Sequence, residues 1–148
     1  MLDLVGVWRL VASYVVLEET GERTELLGSE PRAYAIFEPG GRMIMIGTAN
    51  DRIPGTSTAA VAELFRSMVA YSGKWSIDGE KFVTEVDVAA DPGWVGTQQI
   101  RYYTFDGQTL ASHGSILSFH RFQAKRPSST LIGKKTASCR GLPVVPAI

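Results

Sequence analysis

Two Asp-Gly pairs, Asp78-Gly79 and Asp106-Gly107, each stand between runs of alternating apolar and polar residues, and this arrangement constrains the fold more than any other feature of the chain. Asp-Gly readily supplies the positive φ of a tight hairpin, so each pair predicts two antiparallel strands adjacent in sequence and in space. Pro39-Gly40-Gly41-Arg42 adds a third turn, joining a strand over Arg32–Glu38 to one over Met43–Ile46. Residues 6–18, rich in β-branched and aromatic types, predict a long first strand that stops at the polar turn Glu19-Thr20-Gly21-Glu22. Downstream, alternation predicts strands over Lys74–Ile77, Lys81–Ala90, Trp94–Phe105 and Gln108–Phe119.

The period changes once. Val61, Leu64, Phe65, Met68 and Val69 recur at helical spacing, which predicts a helix capped by Ser57 or Thr58 and ended by Gly73. Its apolar stripe is expected to pack on the sheet, or else to act as a gating lid. About seven strands by Phe119 and one inserted helix predict a mainly β fold, an up-and-down antiparallel β-barrel of about eight strands. Closure removes the exposed edges of an open sheet, and a barrel of that size is about wide enough for one small ligand. Beyond Phe122 the alternation fails, so the expected division is a barrel over 1–122 and a Pro/Gly/Ser-containing tail over 123–148.

A chain of 148 residues can bury an ordinary core and needs no disulfide or metal staple. The single Cys139 cannot form an internal bridge. The balance of 15 basic and 15 acidic residues conceals an asymmetry, because no Asp or Glu occurs after Asp106. The body is mildly acidic and the C-terminal segment basic, but that segment is dilute in charge and has no aromatic residue after Phe122, so no nucleic-acid partner is expected. No apolar run approaches a membrane span, and the start lacks the basic and apolar regions of a signal peptide. The expectation is a cytoplasmic protein with no membrane partner, and self-association into a homodimer is left open. His113 and His120 have no ligand-type partners at useful spacing, so no metal and no cofactor are expected.

Gly6-Val7-Trp8 has the G-x-W pattern of lipocalin-like barrels. Together with Tyr71-Ser72-Gly73-Lys74-Trp75, Val86-Asp87-Val88 and Trp94-Val95-Gly96-Thr97-Gln98-Gln99-Ile100-Arg101-Tyr102, it makes the chain resemble bacterial and fungal lipocalin-like domain proteins over roughly residues 3–112. The resemblance implies a barrel with a mostly apolar interior and a helix beside or over one end. It implies no single reaction; some members are thought to act on polyketide-like molecules in secondary metabolism. Where members close on a W-R-R-like stretch this chain has Phe119-His120-Arg121-Phe122, so a late Arg over the first-strand Trp would have to be Arg121 in a shifted register.

Strand alternation places Gln99 and Arg101 on one face of their strand, and separates Glu85 and Asp87 from Phe82, Thr84, Val86 and Val88 on the strand before it. Either the apolar set points inward and Arg101 pairs with Glu85 outside, or Arg101, Gln99 and Glu85 form an interior polar cluster. Trp8, Trp75, Tyr34 and Tyr71 are candidates for pocket walls, with core packing as the plainer role. The candidate ligand contacts are therefore Trp8, Tyr34, Tyr71, Trp75, Gln99 and Arg101. They describe a barrel binding a small apolar or aromatic molecule. The alternatives are an isomerase or cyclase, using Arg101 as an oxyanion clamp and Glu85 or Tyr71 for proton transfer, and a structural module with a filled interior.

Overall fold

The computed structural model describes residues 4–16, 19–105, 109–115 and 128–135. The strands are β1 (Gly6–Val16), β2 (Arg23–Glu25), β3 (Arg32–Phe37), β4 (Arg42–Thr48), β5 (Met68–Asp78), β6 (Lys81–Ala89), β7 (Gln98–Phe105), β8 (Thr109–Ser115) and β9 (Ser128–Lys135), with one helix, α1 (Thr58–Arg66), between β4 and β5. All belong to one antiparallel sheet in which β3 to β9 follow in sequence order, and β9 returns to pair with β1. The short β2 pairs only with the far end of β1, so the remaining eight strands close a ring.

The turns follow the residues that favour them. Gly79 opens the short loop between Asp78 and Lys81 at φ 62, and Gly41 ends the β3–β4 turn at φ 97, where the Glu38 amide bonds the Arg42 carbonyl at 2.8 Å. Asp106-Gly107 lies outside the described residues, as do His120, Arg121 and Cys139. The closing strand comes from beyond residue 122. Ser128–Lys135, expected as part of the tail, forms β9 and pairs with both β8 and β1. Ser, Thr, Leu and Ile accept extended backbone readily, and two neighbouring edges supply the hydrogen bonds that its own weak alternation does not predict.

Two bulges decide which side chains face inward. In β1 the register shifts between Leu10 and Ala12, so Trp8 and Leu10 are buried before it and Ser13 after it. In β5–β6 the register shifts between Ser72 and Gly73, which pair with Val88 and Val86, leaving Asp87 as the extra residue. Phe82, Thr84 and Val86 point inward, but beyond Asp87 the faces exchange and Val88 is 62% exposed, against its expected place in the inward set. The bulge requires Gly73, because a Cβ there would overlap the Glu85 carbonyl and lie 2.9 Å from the Val86 Cα. Asp87 is turned outward, where Arg42 holds its carboxylate with paired bonds of 2.9 and 2.7 Å and lowers its pKa below the ordinary value.

The helix differs from its sequence reading. Ser57 caps it, its hydroxyl accepting from the Ala60 amide, but it ends at Arg66; Met68 and Val69 already belong to β5, where Met68 pairs with Thr48. No helix residue is buried, and Val61 and Phe65 are about half exposed, so the expected stripe does not pack as one face on the barrel. Strand pairing with β4 captures the end of the periodic segment before the helix can extend. Arg52 ties the helix end down by donating to the Leu64 carbonyl at 2.8 Å and the Ser67 hydroxyl at 3.1 Å.

The core fills the ring. Trp8, Phe37 and Leu4 are essentially inaccessible, and edge-to-face contacts run from Phe37 to Trp75 and to Phe82. Among the described residues no helix is long and apolar enough to cross a membrane, and no cluster of His, Cys, Asp or Glu has the makings of a metal site.

Candidate ligand-binding site

The register between β6 and β7 sets Phe82 opposite Arg101 and Thr84 opposite Gln99. Cross-strand partners share a face, so the apolar side of β6 and the polar side of β7 both point into the barrel. Glu85 stands opposite Gln98 on the outside and is exposed. Neither arrangement foreseen from alternation occurs whole: Arg101 and Gln99 are interior, 7% and 4% exposed, while Glu85 is not.

The Arg101 guanidinium donates from Nη1 to the Ile100 carbonyl at 2.9 Å and from Nη2 to Gln99 Oε1 at 3.2 Å. Its Nε and the Thr84 hydroxyl, both fully buried, have no partner among the described residues. Gly114 leaves room for the group, since a Cβ there would overlap the Ile100 carbonyl and stand 3.1 Å from Nη1. Among the described residues no acid answers the charge. Every Asp and Glu among the described residues is exposed except the half-buried Asp91, whose Oδ1 is taken up by the Gly93 amide, and residues 109–148 contain neither type. A buried ion without a partner is destabilising by several kcal/mol on the usual scale, so this is an uncommon feature for a core.

Tyr71, 6% exposed, stands beside this group. Burial pushes its pKa above the ordinary phenol value, and the Arg101 charge opposes that shift in part. The unfolded chain would lose this phenol proton above about pH 10 while the fold retains it, so Tyr71 makes stability fall as pH rises beyond that point. Urea unfolding between pH 9 and 11 is expected to show the wild type losing up to about 1.4 kcal/mol per pH unit more than Tyr71→Phe. Equal slopes would contradict this placement of the phenol.

Tyr71 also lines a cavity of about 40 Å³, with Trp8, Phe37, Met43, Met45 and Phe82 among its other walls. That is room for a few waters and less than a drug-sized ligand needs, although methionine walls adapt their shape. Of the residues singled out in the sequence, Trp8 and Tyr71 line the cavity, while Gln99 and Arg101 are buried in the interior but are not among its lining residues. Trp75 lies behind the cavity, edge-on to Phe37, with its indole N–H on the Glu38 carbonyl at 3.1 Å. Tyr34 does not line the cavity: it is 44% exposed on the outer face of β3, because Ala33, Ala35 and Phe37 take the inward positions. Thr84 and the cavity methionines were not singled out; inward alternation with Phe82 and Val86 marks Thr84, whereas nothing short of the strand register marks Met43 and Met45. Trp94 also escapes the strand reading. It sits in a short 3-10 turn over Pro92–Trp94, edge-on to Tyr71, and β7 begins only at Gln98.

An eight-stranded antiparallel ring around a small, mostly apolar cavity is an up-and-down β-barrel, the class that includes the lipocalins. The model of the lipocalin-like domain family matches residues 5–136, and the chain belongs to that family. The match takes in β9, the strand that closes the ring. In fold it is similar to a lipocalin-like protein from Bacteroides uniformis, at 14% identity and a TM-score of 0.50 over 90% of this chain and 99% of that one. An uncharacterized protein from Bacteroides eggerthii aligns at 8% identity and a TM-score of 0.45, over 90% of this chain and 100% of that one. No protein of curated function matches the chain.

Proposed function

We propose that this lipocalin-like barrel binds one small apolar or aromatic molecule in its interior. The observation that carries this reading is the buried polar group beside the cavity residue Phe82: the guanidinium Nε–H of Arg101 and the Thr84 hydroxyl both lack a partner among the described residues. A barrel filled only for stability would be expected to place aliphatic side chains at such positions, because buried polar atoms without partners weaken a fold. Trp8, Tyr71, Phe37 and Phe82 supply aromatic walls, and Met43 and Met45 can turn aside to enlarge the space. The reading rests on these groups more than on the empty volume, which is small. An isomerase or cyclase using Glu85 as its base is disfavoured by the outward position of that carboxylate.

Native mass spectrometry of the purified protein, combined with quenching of tryptophan fluorescence by a panel of small aromatic compounds, tests the proposal. Trp8 lines the cavity and Trp94 packs on Tyr71, so an interior ligand is expected to quench emission saturably with one-to-one stoichiometry. No retained mass and no saturable quenching across the panel would count against it.

A further inference from the structure

Resting on the reading of the interior as a ligand site, we propose that the molecule held there is a monocarboxylate, an apolar or aromatic body bearing a single negative charge that Arg101 neutralises. Arg101 is more than nine-tenths buried, and its hydrogen bonds go to two neutral acceptors, the Ile100 carbonyl and the Gln99 amide oxygen. The Nε–H of the guanidinium has no acceptor among the described residues. Carboxylates are the natural partners of such a fork, which offers several N–H groups in one plane.

The surroundings narrow the class further. Thr84 and Ser112 are both buried, and Thr84 holds an unpaired hydroxyl on the strand beside Arg101, so a second oxygen of the ligand has a donor within the same polar patch. No second cation is buried among the described residues, which argues against a phosphate or dicarboxylate bearing two charges. The cavity itself is lined by apolar side chains except for Tyr71 and Ser112; Arg101 and Thr84 lie outside its lining, with Arg101 opposite the lining residue Phe82, so the body of the ligand is hydrocarbon and its charged end reaches past Phe82. A carboxylate at Arg101 would turn an uncompensated buried charge into a paired one. The neutral amide of the same shape could not do so.

The test compares benzoate with benzamide, and hexanoate with hexanamide, by titration calorimetry on the full chain. For the wild type the acids are expected to bind at least tenfold more tightly than their amides. In Arg101→Met the ratio of acid to amide affinity is expected to fall to about one. Gln99→Glu provides a second variant that keeps the guanidinium and supplies an internal counter-ion at the position of Gln99 Oε1; it is expected to lower the ratio of acid to amide affinity at least tenfold. Equal binding of acids and amides by the wild type would overturn the monocarboxylate assignment and leave the binding barrel standing. A preference for acids that survives in both variants would overturn the role of Arg101. If neither acids nor amides bind, and the wider aromatic panel is also silent, the binding barrel fails together with the assignment.

Discussion

Arg101→Met is expected to leave the barrel as stable as the wild type, or more stable by up to about 4 kcal/mol, in equilibrium urea unfolding without ligand. The expectation runs against the usual effect of altering a buried residue, which is destabilisation. It follows from the surroundings of the guanidinium: the wild-type fold desolvates a full charge and returns two hydrogen bonds to neutral oxygens, with no carboxylate opposite among the described residues. Methionine is unbranched and flexible enough to occupy the channel beside Gly114 and Phe82, and it brings no charge to desolvate. The replacement leaves Gln99 Oε1 without its donor, which takes back part of the gain. Destabilisation by more than about 2 kcal/mol would mean that the charge is matched within the fold itself.

Trp8→Ala carries the opposite expectation, a loss of about 3–5 kcal/mol in the same measurement. Trp8 is 1% exposed, stacks edge-on against Phe105 with ring centroids 5.5 Å apart, and donates its indole N–H to the Leu4 carbonyl at 2.8 Å. Its removal opens a void where β1 meets β3 and strands the Leu4 carbonyl in the interior. For a domain whose whole stability is about 5–15 kcal/mol, that loss approaches unfolding. Because the void adjoins the existing cavity, added indole is expected to restore part of the loss by binding the folded state. A change below about 1 kcal/mol would contradict the assignment of Trp8 to the core.

These two residues also show what could be read from the sequence. The G-x-W segment and the hairpin turns around Gly41 and Gly79 fix their own local geometry, so the meander, the inserted helix and the inward Trp8 were all legible. Arg101 was legible as a candidate but not in its orientation. Alternation fixes relative faces within a strand; it does not fix the register between β6 and β7, and that register sets Arg101 beside Phe82 and Glu85 beside Gln98. The Asp87 bulge adds a further reversal, which places Val88 outside and aims Asp87 at Arg42. The outward position of Tyr34 is not legible because β3 is apolar on both faces, with Ile36 beside it and alanines inward. The closing strand was hidden for another reason. Ser128–Lys135 contains Gly133 and two lysines, and becomes a strand only through pairing with β8 and β1.

The most direct measurement is a crystal structure of the protein soaked with 4-bromobenzoate, with the bromine located by its anomalous scattering. The account predicts one bromine inside the barrel among Met43, Met45 and Phe82, with the carboxylate against Arg101 Nε. A bromine found only on the outer surface, or an interior that stays unoccupied at saturating ligand while Arg101 faces an internal carboxylate, would contradict it.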